Sequence, residues 1–178
     1  MSSLPRRVEL LANIAIIIVA ILLGVVVVNR YLLPASPKPK SVEAAQIKPG
    51  VKLSLSGVDW DKGGKTLLLV LSTNCHYCTE SAPFYQQLAR RKDGREDLRI
   101  MAVLPQNPGE AQEYLGDHGI TVDEIRQAVP GALYARATPT LIIVDRSGSV
   151  VESWVGKLPP EKEAEVLNRF LGQASGDQ

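Results

Sequence analysis

The residues best suited to chemistry are Cys75 and Cys78, the only cysteines in the 178-residue chain. They stand as Cys75-His76-Tyr77-Cys78, directly behind Lys65-Thr66-Leu67-Leu68-Leu69-Val70-Leu71-Ser72-Thr73-Asn74. An apolar run long enough for a buried strand ends in small polar residues and delivers two sulfurs to the start of an amphipathic segment. In the first turn of a helix, residues three apart share a face, which brings two sulfurs close enough to bond. The first cysteine then lies at the helix N-terminus, where free backbone N–H groups and the positive dipole end favour a thiolate. A thiolate is the species that attacks a disulfide. Two other uses compete. A structural disulfide closing a two-residue loop is an inefficient staple. A zinc or copper site would need more ligands, and His76 and His118 are the only histidines, so distant His118 would have to converge on the motif. The peroxidatic P-x-x-x-T-x-x-C pattern is absent around Cys75.

Several elements must position this pair. Val51–Val58 alternates apolar and polar residues and predicts a half-exposed strand, and Asp61–Gly64 predicts a turn. Thr66–Leu71 is the buried strand before the cysteines. From Thr79 to Arg91, Ala82, Tyr85, Leu88 and Ala89 recur at helical spacing, with a kink expected at Pro83. Leu98–Leu104 predicts a second buried strand stopped by Pro105. Pro108–His118 predicts a helix stopped at Gly119. Ile120–Val122 is read as a short strand, and Asp123 as the cap of a short helix ending before Pro130. Thr138–Asp145 predicts a third buried strand entered through Pro139, Arg146–Ser149 a turn, and Val150–Val155 an antiparallel return. A last helix begins at Pro159-Pro160-Glu161, with Glu161 and Glu163 near its positive end and Val166, Leu167, Phe170 and Leu171 as its apolar face.

Length and charge bound the rest. Residues 1–50 hold six Lys/Arg against two Glu, while the remainder carries 14 basic and 17 acidic residues. That mildly acidic body offers no basic stripe, which sets nucleic acid aside. Leu10–Val28 runs 19 residues without a charge, enough to cross a bilayer core of about 30 Å as a helix. It is longer than a signal-peptide core and no Ala-x-Ala site follows, so the expectation is an uncleaved anchor. Arg6 and Arg7 before the run and Arg30, Lys38 and Lys40 after it leave orientation undecided by charge. A dithiol tethered to a membrane suits an oxidising compartment, which favours a short cytoplasmic N-terminus and a domain outside. The expected organisation is a flank over 1–9, a transmembrane anchor over 10–30, a Pro/Lys linker over 31–49, a folded domain over 50–172 and a tail over 173–178.

The order strand, C-x-x-C, helix, strand, helix, then Thr-Pro before a hairpin and a final helix resembles the thioredoxin fold. More narrowly, it is similar to the membrane-anchored TlpA/ResA/CcmG-type thiol–disulfide oxidoreductases of bacteria, over roughly residues 50–172. The pairing of Cys75/Cys78 with Ala137-Thr138-Pro139-Thr140 some sixty residues later carries the likeness. The resemblance implies an α/β fold with a central mixed sheet flanked by helices, behind an N-terminal transmembrane helix. It implies a cis bond at Pro139, substrate docking on the backbone of Thr138, Cys75 as the more exposed nucleophile and Cys78 as the resolving thiol. The implied activity is reduction of disulfides in extracytoplasmic proteins, apocytochromes among them. Electrons would come from a membrane thiol donor at the bacterial cytoplasmic membrane, and no cofactor beyond the Cys75–Cys78 disulfide would be needed. The same chemistry run in reverse, as an oxidase or isomerase, stays open.

Three positions depart from that pattern. Asn74 replaces the usual tryptophan before the first cysteine. Ser81 stands where the family's C-x-x-C-x-x-E-x-P has glutamate, while Glu80 lies one residue earlier and Pro83 matches. His76-Tyr77 between the cysteines puts histidine after the first cysteine, close enough to stabilise a thiolate when protonated or simply to be solvated.

Overall fold

The computed structural model describes residues 4–27 and 46–172, which divide into two units at Pro39/Lys40. In the first, Leu4–Val27 forms helix α1, and Ile14, Ile16–Val19 and Ile21–Leu23 are all exposed. Among the described residues no helix is long and apolar enough to cross a membrane. The ends expected for the flank and anchor, most of the linker and the tail lie outside the described residues.

The second unit is built on five strands in the order β3-β2-β1-β4-β5. They are β1 (Lys65–Val70), β2 (Leu98–Leu104), β3 (Glu124–Gln127), β4 (Thr140–Val144) and β5 (Val150–Val155). β1 pairs parallel with β2, as does β2 with β3, while β4 runs antiparallel to both β1 and β5. This is the mixed sheet that the resemblance implied. β1, β2 and β4 are apolar on both sides because both faces of the sheet are covered. Leu67, Leu69, Ile100, Ala102, Leu104, Leu141 and Ile143 face one core, and Leu68, Val70, Met101, Val103, Ile142 and Val144 face the other.

Helices α2 (His76–Glu80), α3 (Ala82–Lys92), α4 (Pro108–Asp117) and α5 (Pro160–Leu171) belong to the first face. The side chain of Asn107 caps α4 by accepting the Glu110 N–H at 3.0 Å. Lys65 donates to the carbonyls of Arg169 and Phe170 at 2.9 and 3.4 Å, satisfying the C-terminal end of α5.

Three expectations are corrected. Val51–Val58 is not a strand: only an isolated bridge, Lys52 to Ser149, forms. Its alternation instead reflects buried Leu53 and half-buried Val51, Leu55 and Val58 set between exposed polar residues, as the segment lies over the second face. Ile120–Val122 is not a strand either, and Asp123 caps no helix. Its carboxylate accepts the Ile100 N–H at 2.7 Å and leads into β3, a polar edge strand without apolar alternation. A short 3-10 helix then occupies Pro130–Leu133. Finally, Pro83 does not kink one helix but separates two. Lacking an N–H, it cannot bond the Thr79 carbonyl, so the chain breaks at Ser81 and restarts with Pro83 in the first turn of α3.

Two glycines are required by contact: Gly64, at φ +68°, where an added Cβ would overlap the Asp97 carbonyl, and Gly148. Gly148, at φ +78° in the β4–β5 turn, lies against Trp60, whose Cδ1 would be 2.9 Å from an added Cβ. That contact seats Trp60 on the second face.

Candidate active site

β1 ends at Val70 and the backbone then turns through Ser72–Asn74 into Cys75. The turn is held locally and from a distance. Cys75 N–H donates to the Ser72 carbonyl at 3.1 Å, and Asn74 N–H to the Ser72 hydroxyl at 3.4 Å. Gln106, just past β2, accepts the Thr73 N–H at 3.5 Å and donates to the Ser72 hydroxyl at 3.4 Å. Sequence reasoning missed Gln106, for which the only signal was a polar residue after the Pro105 stop.

Cys75 is the N-cap of α2, with extended backbone. Its Sγ accepts the Cys78 N–H at 3.2 Å, which it shares with the Cys75 carbonyl at 3.0 Å, so an N–H of the first helical turn already points at the sulfur that would carry negative charge. Cys75 and Cys78 are at bonding distance, with Cα atoms 5.2 Å apart. Cys78 is fully buried, whereas Cys75 is only partly covered. The pair is thus asymmetric, half-buried at Cys75 and fully buried at Cys78.

The Thr138–Pro139 bond is cis. Thr140 pairs with Val70 in the β1–β4 ladder, which brings the start of β4 to the end of the sheet from which the cysteines emerge. Pro139 is buried and Thr138 half-buried. The Pro139 carbonyl accepts the Gly156 N–H at 2.8 Å, and the Thr140 hydroxyl donates to the Ala137 carbonyl at 2.7 Å, so the proline is fixed on both sides.

The remaining predicted residues separate. Asn74, His76 and Tyr77 are exposed. Ser81 is buried and donates its hydroxyl to the Tyr77 carbonyl at 2.8 Å, so no charge enters the slot beneath the cysteines. His76 is largely exposed and directs its Nε2 to Glu80 Oε1 at 3.0 Å. The other Glu80 oxygen meets Lys157 Nζ at 2.9 Å. The hydrogen bond from Lys157, aided by His76, holds the Glu80 carboxyl below the usual carboxylate range. One turn along, burial pushes the Tyr85 phenol up. The neighbouring Ser81 hydroxyl opposes that rise, yet it is given to the Tyr77 carbonyl and the Tyr85 hydroxyl completes no hydrogen bond. His118 does not converge on the cysteines; its Nδ1 meets the Tyr114 carbonyl at 2.9 Å. Among the described residues no group of three or more His, Cys, Asp or Glu is arranged to hold a metal ion.

Chemically, such a pair exchanges two electrons with another disulfide. The sequence model of the thioredoxin-like domain matches residues 61–171. Three solved structures share the fold. A thiol:disulfide interchange protein of the thioredoxin family from Chlorobium tepidum aligns at 22% identity and TM-score 0.51, over 71% of this chain and 99% of its own. A thiol-disulfide isomerase from Corynebacterium glutamicum aligns at 15% and 0.52, over 74% and 99%. The thioredoxin domain of a thiol-disulfide oxidoreductase from Bacteroides vulgatus aligns at 15% and 0.53, over 70% and 98%. No curated protein matches the chain.

Proposed function

Since the chain belongs to the thioredoxin-like domain family and holds a cysteine pair at bonding distance, we propose that this thiol–disulfide oxidoreductase is a membrane-tethered reductase of extracytoplasmic proteins, of the TlpA/ResA/CcmG type. The observation that carries the reading is the asymmetric pair: a partly open Cys75 sulfur facing a helix N–H, bonded to a buried Cys78, at the sheet end that also holds a cis-proline. The Cys75 thiolate attacks a substrate disulfide, forming a mixed disulfide and releasing one substrate thiolate. Cys78 then attacks Cys75 Sγ, which releases the second substrate thiolate and closes the Cys75–Cys78 disulfide. Two electrons pass to the substrate, and a membrane thiol donor returns them. Thr138 offers its backbone to the substrate chain beside Pro139. Asn74 in place of an aromatic leaves the rim polar, which bears on partner choice, as does exposed Tyr77.

Tethering rests on the uncharged run Leu10–Val28 and on the exposure of isoleucines and leucines around α1. A helix apolar on all sides needs lipid or protein around it. With a short cytoplasmic N-terminus, the domain stands outside the cytoplasmic membrane, where disulfides persist. Apocytochromes in cytochrome c maturation are the substrate class the family resemblance brings forward.

The test is a Cys78→Ser variant together with the reduction potential. Removing the resolving thiol should trap mixed disulfides through Cys75; absence of trapped adducts would count against the exchange mechanism. A potential at or below about −250 mV supports a reductase, whereas about −120 to −180 mV would reverse the direction to oxidase or isomerase.

A further inference from the structure

Glu80 occupies a place that the exchange steps leave unused. Both of its oxygens are engaged, Oε1 with His76 Nε2 at 3.0 Å and Oε2 with Lys157 Nζ at 2.9 Å. His76 directly follows Cys75. Lys157 directly follows Gly156, whose N–H holds the Pro139 carbonyl at 2.8 Å. One carboxylate thus joins the residue after the nucleophile to the loop that fixes the cis-proline, across 77 positions of sequence.

The charges around it are few. On its own helix the neighbours are His76 and exposed Tyr77. From α5, Glu163 faces Lys157, and burial pushes its carboxyl up while Lys157 opposes that. From α4, Tyr114 meets the Thr79 hydroxyl at 3.3 Å. Buried behind this rim are the Ser81 hydroxyl, already given to the Tyr77 carbonyl, and the Tyr85 hydroxyl. The ionic groups beside the sulfurs therefore lie at the exposed rim. A charge within about one Debye length, roughly 8–10 Å, of a thiolate shifts its stability.

We propose that Glu80 is a positioning residue for the exchange reaction: it ties His76, the residue after Cys75, to Lys157 and offsets the charge of Lys157, and of His76 when protonated, so that the helix N–H groups, not side-chain cations, set the stability of the thiolate. The inference rests on the oxidoreductase reading above. Its consequence follows from the couple itself. Only the reduced form carries the thiolate, so surplus cations would stabilise that form and make the pair a stronger oxidant. Glu80 keeps it reducing.

The experiment equilibrates the full-length protein, in detergent micelles, with glutathione redox buffers and reads Cys75 by alkylation. The variants are Glu80→Gln, Lys157→Met and the double. Both sites are solvent-exposed, and breaking exposed ion pairs costs little stability. Glu80→Gln should shift the exchange equilibrium about three- to tenfold toward the stronger oxidant, up to about 30 mV for a two-electron couple, and lower the alkylation pKa of Cys75. Lys157→Met should move both quantities the other way, and the double variant should return close to wild type. Salt of about 0.5 M should shrink every shift. If both single variants moved the equilibrium in the same direction, the bridge would be only a mechanical tie and the proposal overturned. Unmoved equilibria in both would overturn it too. Should the wild-type pair give no two-electron equilibrium with glutathione, the oxidoreductase reading itself would fall, a distinct result.

Discussion

The two faces of the sheet are covered by different means. On the first, helices α2–α5 pack Phe84, Tyr85, Leu88, Val166 and Phe170 over the strands, against Trp154 of β5, and Cys78 is part of the same core. On the second, the cover is irregular chain: Ile47, Leu53, Leu55 and Trp60 from one segment, Leu133 and Ala135 from another. The far end of that second face is polar. Arg99, buried at 8% exposure, donates to the Thr66 hydroxyl at 3.3 Å and the Asp59 carbonyl at 3.0 Å, and pairs with Glu124 at 3.4 Å. The helical face holds its sulfur by close packing of large side chains. The other face is held by a few polar anchors that tie loops to strands. Rigidity around Cys78 and a loop-built surround for Leu133–Pro139 thus come from one sheet.

Truncating the helical face should have the largest effect. Phe170→Ala removes a fully buried ring and is expected to cost about 3–5 kcal/mol, whereas Leu53→Ala on the second face should cost about 2 kcal/mol, because irregular chain relaxes into the space. Denaturant unfolding of both variants checks this; equal losses would erase the distinction between the faces. Next comes Arg99→Ala, which leaves the Thr66 hydroxyl and Asp59 carbonyl without their partner, at about 2 kcal/mol. Its loss should speed amide hydrogen exchange near Asp59 and β3 while leaving α3 unchanged.

A smaller effect is expected in the β4–β5 turn. Asp145 Oδ1 accepts the Ser147 N–H at 2.8 Å, the Ser147 hydroxyl at 2.7 Å and the Ser149 N–H at 3.0 Å. The Ser147 hydroxyl bond leads in holding its carboxyl below the ordinary 3.8. A depressed folded-state pKa contributes stability above the unfolded value, and that contribution is lost as pH falls through the folded one. Asp145→Asn should therefore cost about 1 kcal/mol at pH 6, and the gap to wild type should close as pH falls below the ordinary 3.8 and through the depressed folded value. A gap independent of pH would show that the turn does not depend on the charge. Smallest of all is Tyr85→Phe. It removes a buried hydroxyl that has no hydrogen-bond partner, so stability should stay within about 1 kcal/mol of wild type or rise. A large loss would mean that the hydroxyl is satisfied in solution.

The sequence by itself determined what local pattern can encode. The apolar runs of β1, β2 and β4, the return of β5, helices α4 and α5 and the C-x-x-C at a helix start are all properties of neighbouring residues, since burial imposes a period of about 2 or 3.6. The cis bond at Pro139 was legible through the resemblance to a family pattern. Tertiary structure decided the rest. β3, Glu-Ile-Arg-Gln, has no alternation and is a strand only because β2 offers it a free edge and Asp123 anchors its start. Residues 51–58 alternate as a strand would, yet they pair at a single bridge, because what they meet is the β4–β5 turn and only the first residue of β5, Val150. Gln106 beneath Ser72 and Lys157 against Glu80 could not be read from spacing at all. Side chains 34 and 77 positions apart meet only once the sheet has brought its loops to one end.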